Sequence, residues 1–387
     1  MPPQVQSNEA SSDGTDRLTR LARFPRLRAL AWAADHLYAS RGYQLLRARI
    51  NIDISVDIPN TNNDPSASVS WQPVATFRPA LRRQLSVTNR LATRLFRDGF
   101  HALAVQPSGG LVAATPGAIV TLRPGETEFR RTHTILRGTR PLHITAVPGV
   151  GTGSGTCSGT GGAIYWGEYF DNPARDQVHI YASTDAGATW SVAYTFPQGA
   201  IRHVHNIVHD PWANCLWVLT GDYGDECRIL RATCDFTRVE SVLQGQQQAR
   251  AVAAIPTAEG LYFSSDTPLE PNYIYRLDRQ DSLLRLAPIS SSSIYGCRVG
   301  TRVFFSTMVE PSEVNRDRHV RVYGSDSKDA QAWHPRLAWQ KDPWPMALFQ
   351  YGNAIMPDGN NTTPFLALTT VAVKSDDAVT SLYSANP

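Results

Sequence analysis

The chain lacks the features that would mark a membrane protein, a zinc-knit domain or a nucleic-acid binder. No apolar run among its 387 residues is long enough to cross a bilayer. Five cysteines, with no Cys-x-x-Cys or Cys/His spacing, provide no structural zinc site. Their odd number favours a reducing compartment over a disulfide framework. With 37 basic and 34 acidic residues the net charge is only +3, which gives no general electrostatic case for nucleic acid. Residues 1–16 are polar and rich in Ser, Asn and Gln, without the charged-then-apolar pattern of a secretory signal. A disordered tail over 1–16, a cytoplasmic location (or secretion with the signal already removed), no membrane partner and a monomer are therefore expected. No segment sustains a helical period.

What the chain does have is a recurring interval with a polar residue at one end and a proline six positions on. It reads His101-Ala-Leu-Ala-Val-Gln-Pro107, His205-Asn-Ile-Val-His-Asp-Pro211, Arg250-Ala-Val-Ala-Ala-Ile-Pro256 and Tyr351-Gly-Asn-Ala-Ile-Met-Pro357. A short turn follows each proline and ends at Gly110, Asn214, Gly260 or Asn360, then a second apolar run begins. Pro presets φ for a β-turn, and Gly or Asn tolerates its strained end. Each copy is thus a pair of antiparallel strands, and strand pairs repeated in this way signal a β-propeller.

Counting innermost strands from these anchors gives starts near Leu27, His101, His143, His205, Arg250, Tyr295 and Tyr351. The expected fold is all-β: a seven-bladed propeller spanning 17–387 as one domain, at ~40–50 residues per blade. Second strands are expected over His36–Ser40, Leu111–Thr115, Ala163–Glu168, Cys215–Thr220, Leu261–Ser265, Val303–Thr307 and Phe365–Thr370. The last blade lacks a fourth strand, which the segment Arg17–Arg23 can supply, closing the ring and removing an exposed edge. The Gly/Ser/Thr run Gly149–Gly162 reads as a loop or mobile flap. Arg82, Arg83, Arg90 and Arg94 read as a solvated loop or short helix between blades. Cys215 and Cys234 fall opposite each other across a hairpin, most simply as two unbonded thiols.

One motif is sharper than the rest: Ser183-Thr-Asp-Ala-Gly-Ala-Thr-Trp190 has the pattern S-x-D-x-G-x-T-W. Asp185 can accept from turn N–H groups, Gly187 can take a conformation other residues avoid, and Trp190 can pack between blades. The stretch Tyr323–Asp329 with Trp333 is a degenerate second copy.

Propeller geometry gathers two sets of side chains at one face. Entrances of the innermost strands bring His101, His143, Arg202, His203, His205, Arg250, Tyr295, Tyr351 and the nearby Asn353. Ends of the second strands bring Glu168, Tyr169, Asp222 and Asp266. Histidine serves as acid or base near neutral pH, tyrosine can protonate a leaving oxygen, and arginine binds carboxylate bidentately. That mixture suits an acidic sugar. His205, His101, His143, Tyr351 and Tyr169 are the candidate catalytic groups, and Arg202, Arg250, His203, Glu168, Asp222, Asp266, Tyr295 and Asn353 the candidate substrate-binding groups. Trp166, Phe170 and Trp344 could stack on sugar rings, while Trp217 belongs to the core.

On the Ser183–Trp190 motif the chain resembles the sialidase-like Asp-box (BNR-repeat) β-propellers, and is similar in layout to their seven-bladed polysaccharide lyases and His-dependent glycosidases. The resemblance implies cleavage of a uronate-containing oligo- or polysaccharide by β-elimination. A hydrolase using Glu168 with Asp222 or Asp266, and a non-catalytic propeller that binds a glycan or protein, are the alternatives. No early Arg-Ile-Pro stands where a sialidase would have it. Oligogalacturonate lyases in this group also bind a metal through His and Gln, so the resemblance admits a divalent metal at His101, His143, His203, His205 and Gln350.

Overall fold

The computed structural model describes residues 18–51, 69–149, 162–325 and 332–385. Seven sheets follow one another around a central axis, which makes the chain a seven-bladed β-propeller. The innermost strands are Arg28–Ala34, Ala102–Val105, Thr145–Val147, Val204–Asp210, Ala251–Thr257, Ser293–Val299 and Asn353–Ile355. Each begins within two residues of the start read from the sequence. The tail over 1–16, all of the Gly149–Gly162 run except its end residues, and most of the degenerate Asp-box lie outside the described residues. Among the described residues no helix is long and apolar enough to cross a membrane.

The ring is held by apolar faces packed sheet on sheet. One cluster joins Val147, Tyr165 and Ile180 of the third blade to Ile207, Leu216 and Val218 of the fourth. Another joins Trp217, Leu219 and Ile229 of the fourth to Ala254, Leu261 and Phe263 of the fifth. Leu216, Val218, Leu219 and Phe263 are all fully enclosed. Each such side chain contributes about 1.5–3 kcal/mol on burial, so every blade boundary is a share of the core. Trp166 and Trp217 are buried in it, while Trp344 is exposed.

The seventh sheet takes its outermost strand from the other end of the chain: Thr19–Pro25 pairs antiparallel with Val379–Ser384. Arg20 and Arg23 both reach Asp376, at 2.9 and 2.7 Å, beside that seam. The fourth proline repeat pairs its two strands as expected, Asn353–Ile355 antiparallel to Phe365–Val371, but not through a short turn. After Pro357 the chain crosses to the first blade, and Asp358–Asn361 runs parallel to Ala31–Ala34. Gly359 permits the crossing, because its φ of +91° and a would-be Cβ 2.3 Å from the Trp32 carbonyl oxygen exclude a side chain. Of the two cysteines expected to be unbonded thiols, Cys215 is free but Cys234 is disulfide-bonded.

The Ser183–Trp190 turn connects the third and fourth strands of its blade, Val178–Ser183 and Ser191–Phe196. Asp185 Oδ1 accepts from Ser183 Oγ (2.8 Å) and from the Thr189 amide (2.9 Å), and the Gly187 amide donates to Ser183 Oγ (2.8 Å). Trp190 Nε1 donates to Thr132 Oγ1 of the preceding blade at 3.2 Å. A Cβ on Gly187, at φ +85°, would stand 2.7 Å from Val112 Cγ2 in that same blade. Gly187→Ala should therefore cost roughly 1–3 kcal/mol by strain and overpacking, seen as a lower urea midpoint. Thr184→Ala, on the exposed side of the same turn, should stay within about 0.5 kcal/mol. Equal midpoints for the two variants would contradict the role given to the turn.

Candidate active site

The innermost strands enter at one face, and the loops after the second strands open there too. Together they wall a cavity of about 370 Å³ at the mouth of the central channel. His101, His143, Tyr169, His205, Asp222, Arg250, Asp266, Tyr295, Tyr351 and Asn353 all line it. Three sequence candidates do not. Glu168 turns away to accept from Arg137 Nε (3.0 Å) and from the His179 amide (2.8 Å). Arg202 is held by Asp171 and, at 3.2 Å, by Asp222. His203 stands behind His205, in contact with it but off the wall.

Bulges aim the entrance residues. The pairing of strands in the fourth blade skips His205, between Val204↔Thr220 and Asn206↔Leu219. Similar shifts fall near Leu30 and Ile294 in the first and sixth blades. An extra residue bends the strand and redirects its side chains toward the axis.

One side of the cavity is cationic. Arg28, Arg97 and Arg140 line it together with His101. None of these three arginines makes an ion pair among the described residues; Arg28 hydrogen-bonds the Tyr295 side chain and its Nη2 approaches the His101 carbonyl at 3.4 Å, and Arg140 Nη1 approaches the Thr139 hydroxyl at 3.4 Å. Burial, then the charges of Arg28 and Arg97, push Arg140 down to about 10. Burial and the same neighbouring arginines hold the His101 imidazole well below its ordinary value, so it is neutral at pH 7. Its Nε2 donates to the Arg97 carbonyl at 2.5 Å, which leaves the Nδ1 lone pair free.

His143 carries a partner the sequence did not suggest. Its Nδ1 lies 3.1 Å from Asp358 Oδ2. A donated Nδ1–H fixes the tautomer and leaves Nε2 as a basic lone pair. Asp358 is there because of the strand crossing after Pro357. Burial, reinforced by Asp222 and Asp266, pushes the Tyr169 hydroxyl up to about 12, and burial raises Tyr351 as well. Both phenols therefore keep their protons.

The opposite side is acidic and partly neutralised. Arg250 Nη2 meets Asp222 Oδ1 at 3.4 Å, and its Nε lies 3.7 Å from Asp266 Oδ2. Burial, with Glu310 and Asp222 adding to it against the pull of Arg250, lifts the Asp266 carboxyl to about 8. Arg28 Nε, Arg250 Nε, Asp266 Oδ1 and Glu310 Oε2 are buried without a hydrogen-bond partner. Native interiors satisfy nearly all such groups, so these four are open to a polar ligand or water in the cavity.

Behind this wall His203, His205 and Asp222 fit a divalent metal. His203 Nδ1 and His205 Nδ1 donate to the Phe170 and Ala251 carbonyls at 3.1 and 2.9 Å. Burial lowers His205 below its ordinary value despite Asp222, which favours the neutral ring. The two Nε2 atoms stand 3.1 Å apart, each 3.5 Å from an Asp222 oxygen, an arrangement that either a shared proton or a bound cation satisfies. Ligand atoms ~2.0–2.2 Å from one ion stand about 3.0–3.5 Å apart, matching these edges. His101, His143 and Gln350 do not belong to the group: His101 and His143 are bound elsewhere, and Gln350 lines the cavity.

Sequence reasoning missed Arg28, Arg97, Arg140, Glu310 and Asp358. Arg28 opens the first innermost strand, as His101 and Arg250 border theirs, and Glu310 follows a second strand like Asp266. Arg140 precedes His143 by the same three residues that separate Arg202 from His205. Those signals were legible.

No model of a protein family and no curated protein matches the sequence. Solved structures resemble it in fold. An oligogalacturonate lyase in complex with manganese has a TM-score of 0.55 at 10% identity, covering 95% of this chain and 92% of that one. The β-propeller domain of Cps50 (Swd1) from Myceliophteria thermophila reaches 0.53 at 9% identity, covering 95% and 99%. The WD40 propeller of Doa1 reaches 0.52 at 10%, covering 95% and 97%. At such identities the likeness speaks for the propeller and is silent on chemistry.

Two outcomes are expected. Folded Asp266 keeps its proton up to about pH 8 while the unfolded carboxyl loses it in the ordinary range, so this residue withdraws stability as pH rises through that window. The midpoint gain of Asp266→Asn over wild type should grow from about pH 5 to about pH 8, and a flat difference would contradict the burial. Manganese or zinc at about 100 times its Kd should stabilise the protein by about 2.7 kcal/mol, reversed by chelator and absent in His205→Ala. An unchanged melting midpoint with either ion would exclude the site.

Proposed function

We propose that the chain is a glycan-cleaving enzyme that acts on a uronate-containing oligo- or polysaccharide by β-elimination. The observation that carries this reading is an unpaired arginine cluster sharing one cavity with a carboxylate-backed imidazole and protonated phenols. Removing a proton beside a carboxylate requires that the carboxylate's charge be neutralised first. Arg28 and Arg140 serve that purpose better than Arg202 and Arg250, whose charges already face Asp171, Asp222 and Asp266.

His143 Nε2 takes the proton from the carbon next to the carboxylate, and Asp358 stabilises the imidazolium that forms. The electron pair of that C–H bond becomes a carbon–carbon double bond as the bond to the glycosidic oxygen breaks. Tyr169 or Tyr351 donates the proton to that leaving oxygen. His101, neutral with its Nδ1 free, is the second candidate base. His203, His205 and Asp222 would hold a divalent metal, which supplies positive charge near the substrate's anionic groups. An oligogalacturonate lyase in complex with manganese is among the propellers of similar fold, which supports the reading. One observation favours hydrolysis instead: Asp266, raised to about 8 beside ionised Asp222, is a carboxylic acid able to donate a proton.

A screen of acidic polysaccharides read by ultraviolet absorbance and by reducing ends separates the readings. Elimination raises both signals, and His143→Ala should lower turnover roughly 10²–10⁴-fold with substrate binding kept. New reducing ends without absorbance would replace the lyase by a hydrolase. Binding without either signal would leave a non-catalytic propeller.

A further inference from the structure

Between the fourth strand of the first blade and the first strand of the second, the chain inserts two short helices, Leu81–Ser86 and Arg90–Phe96. They belong to no blade. Arg94, the one fully enclosed arginine of this insert, anchors it to the propeller by donating to Asp342 Oδ2 at 2.5 Å and to the Phe349 carbonyl. The helix thus sits at a fixed place on the rim.

Beside the central cavity lies a second recess of about 270 Å³, walled by this insert. Arg82, Leu95 and Phe96 are its own; Arg97 and Arg140 line both it and the cavity. The two spaces are therefore neighbours sharing an arginine wall. Arg83 is neutralised by Asp98 at 2.6 Å, but Arg82, Arg97 and Arg140 form no ion pair among the described residues. Arg82 stacks over the Phe96 ring, 5.4 Å from its centroid, which holds the guanidinium at the surface. Arg97 caps its helix in the left-handed conformation, φ +52°, and its side chain is exposed. Leu95 and Phe96 are 43% and 46% exposed beside these charges. Uncompensated guanidinium next to bare apolar surface is what an anionic sugar ring requires, since it offers a carboxylate on its edge and C–H groups on its face.

We propose that this recess is a second subsite, which takes the neighbouring uronate of a longer acidic chain whose reacting residue lies in the cavity. The inference rests on the glycan reading above and narrows it to a polymeric or oligomeric substrate that extends over the helical insert. A single acidic sugar would leave the recess and Arg82 unused.

The test compares dissociation constants of galacturonate dimers and hexamers by calorimetry, in the full chain carrying His143→Ala to prevent turnover. The hexamer should bind at least tenfold more tightly than the dimer. Arg82→Ala should reduce that ratio by roughly tenfold, the worth of one charge-assisted contact, and Arg82→Lys should restore part of it. Arg82 is exposed, so an unchanged melting midpoint will show that the variant folds. Equal affinities for dimer and hexamer, or an Arg82→Ala ratio like that of the parent, would overturn the subsite while leaving the cavity's function standing. Failure of both lengths to bind would instead overturn the underlying glycan reading, and the subsite with it.

Discussion

Closing seven twisted sheets into a ring brings the entrances of the innermost strands around a common axis. The rest of the molecule follows from that constraint. Residues separated by sixty positions or more, such as Arg28, His143, His205 and Tyr351, face one small cavity because each lies within two residues of the start of its own innermost strand. The blades can hold them there because their boundaries are apolar and nearly solvent-free, so the ring transmits little slack to its mouth.

The cavity is electrically divided. On one side stand three arginines with no anionic partner among the described residues, and a histidine that their charge and burial keep neutral. On the other, Asp222, Asp266 and Glu310 surround Arg250, while His203 and His205 turn their Nε2 atoms toward Asp222. A self-sufficient fold would pair these groups with each other. Leaving cations unpaired and polar atoms unsatisfied costs stability, and such cost concentrates where a ligand completes the site. On the proposed reading, one wall would receive the anion, the other offers a donor set that could hold a metal, and the His143–Asp358 pair is brought together by the fold.

Much of the fold was legible because propeller blades repeat and their signals are local. The proline interval placed four innermost strands, and the blade count built on it the other three, within two residues; the Ser183–Trp190 motif placed a turn whose hydrogen bonds match its residue types. The site was legible as a ring of stations but not as a set of contacts. Side-chain aim depends on bulges such as the one at His205, which no periodicity reveals. Arg202 and Glu168 occupy suitable stations yet are captured by Asp171 and Arg137. Asp358 was hidden because Asp-Gly-Asn after a proline reads as a tight turn, whereas the chain uses it to cross between blades. Arg97 was lost in a basic stretch that looked like solvated surface; the helix cap that turns it to the cavity is a tertiary matter.

The account stands on a carboxylate being received by the unpaired arginines in front of His143. A crystal structure of the His143→Ala protein soaked with a galacturonate oligosaccharide tests this directly. The account predicts a sugar carboxylate within hydrogen-bond distance of Arg28 and Arg140, its ring carbon turned toward the vacated imidazole position. A carboxylate bound at Arg250, or sugar bound only outside the channel mouth, would contradict it.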